Sequence, residues 1–145
     1  MNQIRVKKLH PKAILPAYGS AEAAGADLYA CLEEAVTVAP GASAWIPTGI
    51  AMEVPLGCAG LIYARSGLAC KRGLAPANKV GVVDSDYRGQ VVVVLHNHSA
   101  EPQTVNHGER IAQMVITPVV TWPYTEVEEL TDSDRGAGGF GSTGA

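Results

Sequence analysis

The sequence predicts an all-β fold, either a sandwich or a barrel, built as one domain. Its 145 residues include 16 glycines and nine prolines, so the chain must turn often. Short runs rich in valine, isoleucine and threonine lie between these turn signals, roughly every 8–12 residues, a spacing typical of sandwiches and barrels rather than of βαβ units. A chain of this length can bury one hydrophobic core.

Nine segments are predicted to form strands. Some alternate between apolar and polar residues, as in Ala35-Val36-Thr37-Val38, which places the apolar side chains on one face. The continuous apolar run 91–95 instead indicates a strand that is buried on both faces. In chain order the predicted strands are 4–9, 35–38, 42–46, 50–54, 59–63, 91–96, 103–105, 110–116 and 119–127.

One segment, 66–71, is predicted to be helical. Ser66 is suited to capping the first turn, and Gly73 is suited to ending the helix. Only one or two turns fit between these two signals, so the helix is a small addition to a β fold.

The C-terminal residues 131–145 differ in composition from residues 1–130, and we interpret the two as an arm and a β domain. Five glycines in the arm predict neither a stable strand nor a stable helix. The residues alone leave two interpretations open, a plain flexible tail or an arm that becomes ordered on a ligand. In the second, backbone N–H groups and Arg135 would bind phosphate oxygens, and Phe140 would stack on a base.

The charge of the chain restricts its partners. The net charge is −3 and only 17% of residues are charged, which argues against a broad nucleic-acid or anionic-membrane surface. A small anionic ligand is compatible with this charge, provided that the fold brings together the few arginines Arg65, Arg110 and Arg135.

Cysteine usage and hydropathy predict a soluble, cytoplasmic protein. Cys31, Cys58 and Cys70 are odd in number and show no Cys-x-x-Cys spacing, so neither a disulfide framework nor a zinc site is indicated. The N-terminal region lacks the apolar core of a signal peptide, and no apolar segment approaches ~20 residues.

Two histidines and two tryptophans have simple interpretations. His96 and His98 share one face of a predicted strand, but no third metal ligand lies nearby in sequence, which disfavours a zinc site. Trp45 and Trp122 are interpreted as core or interface residues.

The most informative segment is the acidic turn 82–89. It places Asp84, Asp86 and Tyr87 together, directly before the apolar run 91–95. Turn chemistry alone would be satisfied by one aspartate and a glycine. The segment is compatible with a charged hairpin tip, and also with a general base on a loop that a rigid sheet holds in place.

Five segments, taken in order, resemble the five motifs of the trimeric deoxyuridine triphosphatase (dUTPase) family. Their order and spacing agree with the family from residue 24 to the C-terminus, which is most of the chain. The segments are 24–30 (AGADLYA), 64–69 (ARSGLA), 78–89, 108–114 (GERIAQM) and 135–144.

The resemblance implies a jelly-roll β fold, a homotrimer and an activity. Members of the family hydrolyse dUTP to dUMP and pyrophosphate with Mg²⁺, which limits uracil in DNA and supplies dUMP for dTMP synthesis. Each active site draws on several subunits, and the C-terminal arm closes over the nucleotide of a neighbour. No direct nucleic-acid or membrane partner is implied.

The resemblance assigns the reaction chemistry to three residues. Asp84 would be the general base that accepts a proton from the water attacking the α-phosphorus, while Asp86 would shape the turn. Gln113 would orient the phosphate or the attacking water. Asp27 would face Mg²⁺ through water molecules.

The resemblance also implies how the base and sugar are recognised. Asn78 and the backbone around Val82 and Val83 would pair with the uracil edge and so reject cytosine. Tyr87 would lie under the deoxyribose and exclude UTP. Val92 completes this set of substrate-binding residues.

The phosphates are assigned to the helix start and to the arm. Free backbone N–H groups at the helix start favour the triphosphate, Arg135 would clamp the γ-phosphate, and Phe140 would stack on uracil. The residues implied are Arg65, Ser66, Gly67, Arg135, Phe140, Gly141 and Ser142.

The chain departs from the family pattern in small ways. Val83 stands where isoleucine is commoner, and Lys79 adds a cation beside Asn78. Arg110 could contact either a phosphate or another subunit.

Two rival functions are disfavoured by the residues present. The similar dCTP deaminases need a glutamate where this chain has Val94, which cannot shuttle protons. A non-catalytic trimeric module would be expected to have lost the base or the arm, and both are present.

Overall fold

The computed structural model describes residues 3–144 and is built mostly from strands, with one short helix. The elements follow one another as β1 (Arg5–Lys8), β2 (Ala17–Tyr18), β3 (Ala26–Tyr29), β4 (Val36–Val38), β5 (Ser43–Pro47), β6 (Ile50–Glu53), β7 (Cys58–Tyr63), α1 (Ser66–Arg72), β8 (Leu74–Pro76), β9 (Gly81–Val83), β10 (Val92–Asn97), β11 (Gln103–Val105) and β12 (Arg110–Pro118). The expectation of a mainly β fold with one short helix is confirmed.

The strands form antiparallel sheets of different sizes. The largest has five strands in the order β2-β3-β12-β7-β9, and a second has three in the order β5-β10-β8. Two further pairs join β1 to β6 and β4 to β11. Strands β7 and β12, near the middle of the large sheet, therefore connect the segments that contain most of the candidate site residues.

The hydrophobic core contains side chains from both of the larger sheets. Leu28 on β3, Ile46 on β5, Leu95 on β10 and Ile111 on β12 are at most 1% exposed. Burial of this apolar surface is the main force that holds the sheets together. Asn97 is also fully buried, and its Nδ2 donates to the carbonyl oxygens of Val38 and Glu101 at 2.9 and 2.8 Å.

The apolar run behind the acidic turn differs from expectation. Along β10 the side chains alternate, with Val93 and Leu95 buried and Val92 and Val94 half-buried. The prediction of a strand buried on both faces is therefore wrong. One face of β10 packs into the core, and the other borders a pocket that is open to solvent.

Several local predictions need correction. Four strands, β2, β3, β8 and β9, were not anticipated, whereas the predicted strand 119–127 does not form among the described residues. The helix begins at Ser66, but its N-cap is Arg65 in an extended conformation with no side-chain cap, so the capping role of Ser66 is wrong. Gly73 ends the helix as expected, in the left-handed conformation with φ of 68°.

None of the helices described is long and apolar enough to cross a membrane.

Candidate active site

The acidic turn borders an open pocket of about 310 Å³. Asn78, Val82, Asp84 and Tyr87 line one part of it, and the outward face of β10 with Trp45 lines another. The carboxylate of Asp84 is exposed at this pocket, directly after β9. A rigid sheet thus presents a carboxylate to a cavity of the size that a small ring system fills.

The turn is fixed by short-range hydrogen bonds. The Tyr87 hydroxyl donates to the Gln90 carbonyl oxygen at 2.8 Å, and the Tyr87 amide donates to the Asp84 carbonyl oxygen at 3.2 Å. The Gln90 side chain accepts from the Gly49 amide at 3.0 Å, which ties the turn to the loop before β6. Sequence reasoning missed Gln90, because an outward glutamine beside a glycine has no distinctive local signal.

The loop that contains Asn78 has an unusual backbone. Lys79 adopts a left-handed conformation with φ of 66°, which is uncommon for a residue other than glycine. Its amide donates to the Pro76 carbonyl oxygen at 3.1 Å, and the Val80 amide donates to the Asn78 carbonyl oxygen at 2.7 Å. These bonds hold the loop in a tight turn that leaves the Asn78 side chain at the pocket.

A second group of predicted site residues surrounds Asp27 on β3. Arg65 Nε donates to Asp27 Oδ1 at 2.8 Å, and Arg110 Nη1 lies 3.7 Å from Oδ2. The Asp27 side chain is only 12% exposed and that of Arg65 is 25% exposed. Desolvation makes such a pair costly to separate, so Asp27 fixes the position of Arg65.

Gln113 lies beside this pair. On β12 it is opposite Asp27 of β3 and Tyr63 of β7. Its Nε2 donates to the Ala64 carbonyl oxygen at 2.9 Å, and Ala64 directly precedes Arg65 at the N-cap position of the helix. The strand ladder thus brings Asp27, Arg65 and Gln113 together at one end of β7.

The cleft at the helix start carries positive charge. It has a volume of about 430 Å³ and is lined by Arg65, Lys71, Arg72 and Arg110, with Gly67 at its helical edge. Arg72 is engaged by Glu109, whose Oε1 is 3.1 Å from its Nη1. Lys71 and Arg72 were not singled out from the sequence, although basic residues in the last turn of a helix are a recognisable pattern.

The two groups of site residues lie apart within one chain. On the β7 ladder, Val83 is opposite Gly60, whereas Ala64 follows the other end of the strand. Four residues of strand separate these positions, which is about 13 Å. The pocket beside Asp84 and the cleft beside Arg65 accordingly share none of their lining residues.

The arm forms a series of turns that bond within themselves. Arg135 Nε donates to the Gly138 carbonyl oxygen at 2.6 Å, and the Ser142 amide donates to the Gly139 carbonyl oxygen at 3.1 Å. Phe140 is fully exposed. Within residues 3–144, no hydrogen bond connects 120–144 to the rest of the chain, and Ala145 lies outside the described residues.

Other residues singled out from the sequence take different positions. Trp45 and Trp122 are 75% and 79% exposed, so the core interpretation is wrong and an interface role stays a prediction. His96 Nδ1 is 2.9 Å from the Ser43 hydroxyl, while His98 Nε2 is 3.2 Å from the Ala69 carbonyl oxygen. The two histidines thus face separate partners.

Fold and site together define a class of protein. It is a small, mainly β protein with a ring-sized pocket beside a carboxylate, a positively charged cleft and a glycine-rich arm. This combination suits a small ligand that has both a ring system and several negative charges.

Comparison with known proteins identifies the family. A sequence model described as dUTPase matches residues 11–144. The deoxyuridine 5'-triphosphate nucleotidohydrolase of Syntrophotalea carbinolica is 50% identical over 141 residues, 97% of this chain and 96% of that protein. The protein of that name from Anaeromyxobacter sp. is 51% identical over 140 residues, 97% of this chain and 94% of that protein.

Solved structures agree with this match. The dUTPase G164S mutant of Staphylococcus bacteriophage 80alpha with dUpNHpp has a TM-score of 0.87 at 29% identity, and the match covers 100% of both chains. The chain belongs to the dUTPase family. Recognition of the family from its five motifs is confirmed, and so is the prediction of an enzyme, a dUTP diphosphatase.

Proposed function

We propose that the protein hydrolyses dUTP to dUMP and pyrophosphate, and so limits uracil in DNA and supplies dUMP for dTMP synthesis. The observation that carries the proposal is the ring-sized pocket bordered by Asn78, Val82, Asp84 and Tyr87. Strand β9 is an edge of the five-stranded sheet, so one row of its backbone N–H and C=O groups faces no other strand of that sheet. Such groups suit the pairing edge of uracil.

The chemistry follows from the charges around the two sites. Asp84 accepts a proton from the water that attacks the α-phosphorus, and Tyr87 lies against the deoxyribose. Arg65, held by Asp27 at 2.8 Å, stabilises the negative charge that develops on the phosphate oxygens. Gln113, whose Nε2 donates to the Ala64 carbonyl oxygen, orients the phosphate or the water. Ser66 and Gly67 offer backbone N–H groups at the helix start.

Mg²⁺ is compatible with this site if it enters already bound to the phosphates of the substrate. Within residues 3–144, no cluster of three His, Cys, Asp or Glu side chains could hold a metal, and both oxygens of Asp27 face arginines. Mg²⁺ commonly keeps several waters and binds mainly to substrate phosphates, so it does not need such a cluster. When bound, it would neutralise charge on those phosphates, and Asp27 would reach it only through water.

We further propose a jelly-roll homotrimer with shared sites, in which residues 131–145 close over a neighbour. Two observations support shared sites. Asp84 and Gln113 belong to groups at opposite ends of β7, and the arm makes no described hydrogen bond to its own body. The apolar residues Trp45, Trp122 and Leu130 are at least 75% exposed, as expected for surfaces that a second copy covers. A cytoplasmic location stays a prediction.

The reaction is tested by pyrophosphate release from dUTP, dTTP, dCTP and UTP in the presence of Mg²⁺. We expect rapid release from dUTP alone, because Asn78 rejects cytosine, Tyr87 excludes the ribose of UTP, and the backbone around Val82 and Val83 leaves no room for the C5 methyl group of thymine. Release from none of the four by well-folded protein would support the alternative function, a nucleotide-binding module without catalysis. Equilibrium binding of dUpNHpp separates that module from a protein with no nucleotide site.

Shared sites are tested by mixing two inactive variants. Asp84→Asn and Gln113→Ala chains are each expected to be nearly inactive alone. Unfolding and refolding them together should restore a fraction of the activity, because mixed assemblies contain sites with an intact Asp84 from one chain and an intact Gln113 from another. If each chain builds a complete site by itself, the mixture stays as inactive as its components.

A further inference from the structure

Gly25 lies directly before β3 and is buried against the side chain of Gln113. A Cβ atom at position 25 would lie 2.5 Å from Gln113 Oε1, 3.1 Å from its Cβ and 3.2 Å from its Cδ. The first of these distances is shorter than any that real side chains adopt, so Gln113 could not keep its place beside an alanine.

The other side of the Gln113 amide is equally constrained. Its Nε2 donates to the Ala64 carbonyl oxygen at 2.9 Å, so the amide lies between that carbonyl and Gly25. A side chain at position 25 would displace the amide and so disturb its hydrogen bond to Ala64. Because Ala64 precedes Arg65, this hydrogen bond also sets the position of Gln113 relative to the positively charged cleft.

Backbone conformation does not explain this glycine. Gly49 and Gly73 have positive φ values of 70° and 68°, whereas Gly25 is not among the described glycines with positive φ. Alanine would therefore be compatible with the backbone at position 25, and only the approach of Gln113 requires a hydrogen atom there.

We propose that Gly25 is a positioning residue for Gln113. Its missing side chain allows the Gln113 amide to be held on Ala64 in the orientation that serves dUTP hydrolysis. The inference rests on the proposed role of Gln113 in that reaction, and it assigns a catalytic consequence to a residue that lines neither the pocket beside Asp84 nor the cleft beside Arg65.

The experiment compares four variants of the full chain by kcat for dUTP hydrolysis and by Tm. They are Gly25→Ala, Gln113→Ala, the double variant, and the control Gly19→Ala. Gly19 is exposed, lacks a positive φ, and has no atom within 4 Å of an added Cβ, so it reports the general effect of replacing glycine by alanine.

We expect Gly25→Ala to lower kcat by about 100-fold, because a displacement of about 1 Å in a catalytic group has effects of that size. Gly19→Ala should leave kcat and Tm unchanged. In the Gln113→Ala background, the Gly25→Ala change should lower kcat by about two-fold or less, because the two residues act as one unit. In the double variant the Cβ atoms of the two alanines would still lie 3.1 Å apart, and a small shift of either residue relieves this contact.

Each other outcome has a defined meaning. If Gly25→Ala keeps wild-type kcat, or if its loss multiplies the loss of Gln113→Ala, the proposal is wrong. If Gly25→Ala fails to fold but the double variant folds, the contact with Gln113 is confirmed, whereas failure of both overturns it. An inactive wild-type protein would contradict the proposed function, and an unaffected Gln113→Ala variant would contradict the role of Gln113.

Discussion

The body of the protein, up to residue 130, and the C-terminal arm differ in how their candidate site side chains are held. Arg65 and Gln113 are fixed by hydrogen bonds of 2.8 and 2.9 Å to groups on other elements of the body. In the arm, the described hydrogen bonds of Arg135 go only to Gly138, three residues away, and Phe140 is fully exposed. Folding thus arranges the first set in advance. In the proposed closure of the arm over a nucleotide, the entropy cost of ordering the second set falls on ligand binding.

The largest expected effect comes from the turn that the sheet holds. We expect Asp84→Asn to lower kcat for dUTP by about 100- to 10,000-fold, because it removes the proposed general base without changing the size of the side chain. Asp86→Asn, two residues further in the same exposed turn, is the matched control and should retain most of the activity. Pyrophosphate release measures both. Equal losses of kcat in the two variants would show that activity depends on the turn as a whole and not on the Asp84 carboxylate.

Removal of residues 131–145 shows what the arm contributes to activity and to stability, apart from the body of the protein. Losing the proposed contacts of Arg135 with phosphate and of Phe140 with uracil should lower kcat/KM by about 100-fold, since each such contact is worth about 1–3 kcal/mol. The Tm should not change, because no described hydrogen bond joins the arm to its own body. A large fall in Tm on truncation would mean that the arm stabilises the folded protein without ligand.

A smaller effect, this time on stability, is expected at Asp27. Asp27→Ala leaves Arg65 unpaired in a largely buried position, which should lower the free energy of unfolding by about 1–3 kcal/mol. Glu53→Ala removes the exposed Arg5–Glu53 pair, 3.2 Å long, and should cost at most about 1 kcal/mol. Urea unfolding of the two variants measures the difference. Similar losses would show that burial does not distinguish the two ion pairs.

The smallest effect is expected at Glu33 on the surface. Its pKa is lowered from the usual 4.5 by hydrogen bonds from Lys12 and His10 and by their charges. A lowered folded-state pKa contributes stability that is present above about pH 4.5 and is lost as pH falls through the lower value. The Tm difference between wild type and Glu33→Gln should therefore shrink below pH 4.5. A difference that stays constant with pH would contradict this assignment.

Local sequence signals predicted the fold class but missed strands whose residues depend on distant partners. Strand β3 contains Asp27, a poor strand former, and it is tolerated there because Arg65 neutralises it from 38 positions away. Strand β8 ends in Pro76, which is acceptable because β8 is an edge strand of its sheet. Neither circumstance is visible in a window of neighbouring residues.

The segment 119–127 shows the opposite error. Its apolar residues favour a strand, but among the described residues only the Val119 amide finds a partner, the Gly57 carbonyl oxygen at 2.9 Å. A strand requires a neighbour to pair with, and sequence alone does not say whether one is available.

Identity of the candidate site residues could be read from five motifs, whereas their arrangement could not. The motifs named Asp84, Arg65 and Gln113, but the ladder along β7 is what separates the first from the other two. The approach of Gly25 to Gln113 depends on the pairing of β3 with β12 across more than 80 residues of sequence. Such contacts follow from topology and not from local propensity.

The separation along β7 has a consequence for inheritance. If each site takes Asp84 and Gln113 from different copies, a cell that makes both normal and defective chains assembles mixed enzymes. If the defective chain lacks only Asp84, the fraction of inactive sites would equal the fraction of defective chains in the cell. A chain defective at both residues would leave activity that falls as the square of the normal fraction, so gene dosage itself would report how the active site is divided.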